Sequence, residues 1–111
     1  MLELRDLSFA YPAGRPLLEG LSFTFRSGGI CAVLGPNGTG KTTLLKLLLG
    51  ILKPSSGEML LSGMPIGRMT AQRRARKLAY IPQDVSLRFP LSVFEFVLLG
   101  RKPWFVWGPS P

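Results

Sequence analysis

Apolar and polar positions change their rhythm several times along the chain. Residues 2–9 (LELRDLSF) read as a strand with apolar Leu2, Leu4 and Leu7, but the alternation is imperfect. YPAGRP then marks a turn over 10–16. Residues 21–25 (LSFTF) alternate cleanly, with Leu21, Phe23 and Phe25 on one face and Ser22 and Thr24 on the other. After a Ser-Gly-Gly turn at 27–29, the run Ile30 to Leu34 is continuously apolar, the pattern of a strand covered on both faces. Lys41 to Leu49 has helical spacing, with Gly50 as its stop. KPSSG at 53–57 is a loop, 58–61 a further strand, and Ser62-Gly63 a turn. Thr70 is expected to cap a short basic helix through Arg76. Residues 78–81 read as a short strand ended by Pro82. Ser92 and Glu95 have capping-box spacing for a helix to Leu99, with Gly100 just past its end.

Between the apolar strand and the helix lies GPNGTGKTT, residues 35–43. It fits G-x-x-x-x-G-K-[ST] through Gly35, Gly40, Lys41 and Thr42. Small residues let successive backbone N–H groups turn inward and approach phosphate oxygens. The helix that starts there adds its free N–H groups and the positive end of its dipole. Lys41 supplies a point charge for the outer phosphates, and Thr42 a hard oxygen for Mg²⁺. A strand before and a helix after give the pattern its meaning, and the expected ligand is a purine nucleoside triphosphate with Mg²⁺. Two weaker candidates join it. Tyr11, between the first strand and a proline turn, offers a ring for a nucleobase, or only packing. Gln83, at the end of the strand LAYIP, offers a polar group for a metal or an attacking water, or is a solvated turn residue. Asp84 beside it reads as a turn former rather than a base.

Composition narrows the setting. The 111 residues suit one small domain, and 46% of them are hydrophobic, so a modest core is within reach. A formal charge of +8 favours anionic partners. The basic stretch TAQRRARK at 70–77 is expected to be a solvated face rather than a nucleic-acid surface. The single cysteine, Cys31, excludes an internal disulfide and reads as a buried strand residue in a reducing compartment. The start MLELRDLSFAYP lacks a signal-peptide pattern, and no apolar run has the length of a membrane span. Trp104, Phe105 and Trp107 near the end fit either a partner contact or displaced core residues.

LSFAYP (7–12), GPNGTGKTTLLKLLLGILKPSSGEMLLSG (35–63) and LAYIPQD (78–84) together resemble the ATP-binding subunit of an ABC transporter. The end of the chain, SVFEFVLLGRKPW, is similar to ferric-siderophore, haem or cobalamin importers. The resemblance implies an α/β fold: a P-loop NTPase core with an antiparallel β-subdomain, the latter from the first strands and residues near 58–66. It implies that Tyr11 stacks on adenine and that Gly35, Pro36, Asn37, Gly38, Thr39, Gly40, Lys41, Thr42 and Thr43 wrap the triphosphate. Lys41 would hold the outer phosphates, Thr42 the Mg²⁺ and Thr43 the α-phosphate, while Gln83 would sense the metal and couple to a membrane partner. The implied partners are a transmembrane permease and a second ATPase copy, at the cytoplasmic face of the cell membrane. The family's LSGGQ signature, its second strand end with paired acids and its switch histidine are missing. Leu61-Ser62-Gly63 repeats three letters of the signature in a strand-and-turn setting, and reads as a coincidence. Residues 1–111 are therefore expected to be the N-terminal part of a longer subunit, ending before its helical subdomain, with weak or no ATPase activity alone. A nucleotide-binding remnant, or a basic interaction module with a vestigial loop, are the alternatives.

Overall fold

The broken alternation of the first strand has a structural cause at Asp6. In the computed structural model, which describes residues 1–84, 86 and 89–105, β1 (Leu2–Ala10) runs antiparallel to both β2 (Pro16–Phe25) and β3 (Ser56–Leu61). Its register slips by one residue against both neighbours: Leu4 faces Phe23 and Leu7 faces Leu21, while Arg5 faces Glu58 and Ser8 faces Ser56. The extra residue is a bulge, with Asp6 at φ 47°. The bulge lets Leu4 and Leu7 both be buried although an odd number of steps separates them. Gly57 makes room for it, because a Cβ there would lie 2.3 Å from the Asp6 carbonyl oxygen.

A two-residue hairpin with Ser62 at φ 50° and Gly63 at φ 78° joins β3 to β4 (Met64–Pro65). Positive φ at both positions is the type I′ geometry that matches strand twist. The Ser62-Gly63 pair is therefore turn chemistry. The sheet order is β2-β1-β3-β4. Buried Leu4, Leu7, Phe9, Met59, Leu60 and Leu61, with Ile66 and Met69 beyond β4, form much of the core.

α1 (Lys41–Leu48) follows the glycine-rich loop and buries Thr43, Leu44 and Leu47. It closes on Gly50 at φ 70°, whose N–H returns to the Leu47 carbonyl while that of Ile51 reaches Lys46. This is the stop expected at Gly50.

Two expected strands do not form. Residues 30–34 form no regular element, and among the described residues no strand pairs with them. Ile30 and Leu34 are 104% and 88% exposed, and Cys31, expected to be buried, is exposed too. Residues 78–81 likewise form no ladder among the described residues, with Ile81 at 88% exposure. An apolar run becomes a buried strand only when neighbours supply hydrogen bonds on both edges and cover on both faces. Among the described residues neither segment has a strand on either edge.

The chain divides into two units, Met1–Met69 and Thr70–Pro111. In the second, α2 (Ala71–Ala75) starts at Thr70, whose hydroxyl accepts the Arg73 N–H. α3 (Val93–Leu98) starts in the expected capping box: Ser92 N–H donates to Glu95 at 2.7 Å and Glu95 N–H to Ser92 at 3.2 Å. The Ser92 backbone N–H, and after it the Ser92 side chain, hold the Glu95 carboxyl below its ordinary range. Gly100 does not end the helical path, which continues as a 3₁₀ helix over Leu99–Trp104. The basic stretch is more than a solvated face. Arg76 donates to the Pro103 carbonyl at 2.8 Å and lies 4.8 Å from the Trp104 ring centre, and Gln72 donates to the same carbonyl at 2.9 Å. Trp104 and Phe105 remain about half exposed, and Trp107 lies outside the described residues.

Candidate nucleotide site

The first unit brings the phosphate loop and Tyr11 together. Residues 35–40 form the loop, and α1 opens directly from Gly40 at φ 96°. That φ is strained for any side chain. A Cβ at Gly40 would also meet Leu17 of β2 at 3.1 Å, so the loop approaches the strand closely. Gly38, at φ 84°, gives the loop its other left-handed turn. The α1 N-terminus has no side-chain cap and no acidic residue in its first turn. Its leading N–H groups and dipole are thus available to an anion.

Side chains complete the arrangement. Lys41 curls back, its ammonium donating to the carbonyl oxygens of Gly35 and, at 3.2 Å, of Pro36. Thr39 Oγ1 donates to the Pro36 carbonyl at 2.8 Å. Leu17, Asn37, Gly38, Gly40, Lys41 and Thr42 line the cleft above the helix start. The Thr42 hydroxyl is exposed and makes no hydrogen bond among the described residues. That leaves a hard oxygen free at the position where the motif needs a Mg²⁺ ligand, so the donor set fits magnesium triphosphate. Among the described residues no cluster of His, Cys, Asp or Glu offers a different metal centre.

Tyr11 follows β1 directly. Its hydroxyl lies 3.1 Å from Thr43 Oγ1, across 32 residues of sequence. Its ring packs edge-on against Phe9 at 4.9 Å and stays 45% exposed. Gln83 belongs to the second unit, in an exposed bend after residues 78–82, with Asp84 exposed beside it. Two features escape sequence reading: the contribution of Leu17, and the tie between Tyr11 and Thr43. Neither leaves a local signal, because both depend on the register of β1 and β2.

A model of the family described as ABC transporter matches residues 18–105. The chain belongs to the ABC transporter family. It is 36% identical over its whole length to an uncharacterized ABC transporter ATP-binding protein of Haemophilus influenzae, covering 42% of that protein. It is 43% identical over 103 residues to the hemin import ATP-binding protein HmuV of Escherichia coli O157:H7, covering 93% of this chain and 40% of that protein. Among solved structures it resembles a bacterial Atm1-family ABC exporter with ATP bound, at a TM-score of 0.70 and 34% identity. That match covers 75% of this chain and 15% of the exporter chain. This chain thus spans about two fifths of the length of the two curated relatives. The P-loop α/β fold expected from the sequence is the fold of this ABC family. Within it, the antiparallel β-subdomain is the part that these residues build as a sheet. No helix among the described residues is long and apolar enough to cross a membrane.

Proposed function

We propose that this chain binds Mg-ATP and serves as the ATP-binding subunit of an ABC transporter, coupling ATP hydrolysis to solute import. The observation that carries the reading is the loop itself. An uncapped helix start, two left-handed glycines and the Lys41 ammonium converge on one cleft. In this reading Gly35 to Thr43 wrap the triphosphate, Lys41 holds the outer phosphates, Thr42 takes Mg²⁺ and Thr43 the α-phosphate. Bound Mg²⁺ would neutralise phosphate charge. Tyr11 stacks on the adenine, which its exposed ring permits. Gln83 reports the metal and γ-phosphate state to a permease subunit at the cytoplasmic face of the membrane, and a second ATPase copy completes the pair. The hemin-import relative supports an importer of an iron chelate, haem or cobalamin. The 111 residues contain no apolar strand ending in paired acids, so nucleotide is bound by this chain alone with little turnover.

The test is titration of the purified chain with a fluorescent ATP analogue in Mg²⁺, displaced by unlabelled ATP. Saturable, displaceable binding that Lys41→Ala weakens supports the reading. Absence of saturable binding by folded protein rejects it.

A further inference from the structure

The bond between Tyr11 and Thr43 ties a residue outside the phosphate loop to one inside it. Thr43 is 7% exposed, so its hydroxyl has little access to water, and it pairs with the Tyr11 phenol at 3.1 Å. A hydroxyl carries one proton and two lone pairs. If Thr43 donates to Tyr11, it has no proton left for an anion. If Tyr11 donates to Thr43, the Thr43 proton is free to point into the cleft at the start of α1, whose lining includes Thr43. The phenol is the stronger donor of the two, and an anion in the cleft selects the same direction. Each bond of such a chain polarises the next.

We infer that Tyr11 is a positioning residue for the phosphate site: its hydroxyl donates to Thr43 Oγ1 and thereby aims the Thr43 proton at a bound phosphate oxygen. This rests on the reading of residues 35–43 as a polyphosphate site, and goes beyond any stacking of the Tyr11 ring on a base. The two roles use different parts of the side chain. The hydroxyl serves the phosphates, and the exposed ring serves the base.

The distinguishing probe is Mg-tripolyphosphate, which has no base to stack. Its affinity is measured by calorimetry for the unaltered chain, Tyr11→Phe, Thr43→Val and the double variant, with thermal midpoints recorded without ligand. Tyr11→Phe keeps the ring and its edge contact with Phe9. Loss of one hydrogen bond predicts an affinity about three- to tenfold lower for Tyr11→Phe, equally for tripolyphosphate and for ATP. In the Thr43→Val background Tyr11→Phe should change nothing further, and Thr43→Ser should restore the effect. A merely structural role for Tyr11 would persist in the Thr43→Val background. If the unaltered chain binds tripolyphosphate and Tyr11→Phe binds it equally well, the inference alone falls. If the unaltered chain shows no saturable binding, the site reading falls and takes the inference with it. Should Tyr11→Phe fail to fold, Thr43→Val decides. Undiminished tripolyphosphate affinity in that variant overturns the inference, and a loss of threefold or more supports it.

Discussion

Replacing Lys41 by Met should separate the charge of the phosphate loop from its structure. The ammonium donates to the Gly35 and Pro36 carbonyls, and both of those residues are exposed. Water can replace the lysine at either oxygen, so the bonds contribute little to folding, on the order of 0.5 kcal/mol. On binding, the ammonium must leave these carbonyls for phosphate oxygens, exchanging neutral acceptors for charged ones. Hydrogen bonds to charged groups are worth about 1.5–3 kcal/mol net, which corresponds to roughly 10- to 150-fold in affinity. Lys41→Met should therefore weaken Mg-ATP binding by about that factor while shifting the thermal midpoint by no more than about two degrees. Isothermal calorimetry and a melting curve by circular dichroism read both quantities. Affinity within twofold of the unaltered chain would show that the ammonium does not meet the ligand. A large fall in melting temperature would show that the lysine holds the loop together, contrary to the exposure of its partners.

Other outcomes follow from single positions. Gly57→Ala should destabilise the first unit by about 2 kcal/mol or more, because its Cβ would meet the Asp6 carbonyl and its φ is +79°; urea unfolding measures it. Cys31 should react with a disulfide reagent in native buffer at a rate close to that of a free thiol, and protection until denaturant is added would contradict its exposure. Hydrogen bonds from Ser92 hold the Glu95 carboxyl below its ordinary range, so its contribution to the α3 start is complete above the unfolded value and disappears as pH falls through the folded one. Acid titration followed by backbone amide shifts at Ser92 and Glu95 should show this loss, and Glu95→Ala should abolish the transition.

The elements that the sequence discloses are those governed by local chemistry. Thr70 and Ser92 cap their helices through side-chain bonds that span only three residues, and Gly50 ends α1 by adopting a backbone conformation that glycine adopts freely. The phosphate loop is legible for the same reason, since its spacing is a property of nine consecutive residues. What the sequence conceals is whatever depends on a partner. Residues 30–34 have the composition of a buried strand, yet a strand is completed by its neighbours, and the described residues supply none. The bulge at Asp6 needs the β3 glycine opposite to be recognised as more than a flaw in the alternation. The Tyr11–Thr43 tie joins positions 32 apart, and neither carries a local mark of the other.

The bare segment at 30–34 also governs how this chain behaves in a test tube. Five consecutive greasy residues with no charge and no proline, exposed and unpaired among the described residues, can add to an identical segment of another molecule. Samples should stay clear at low micromolar concentration and grow turbid as they are concentrated. A single lysine introduced at Val33 should delay that onset.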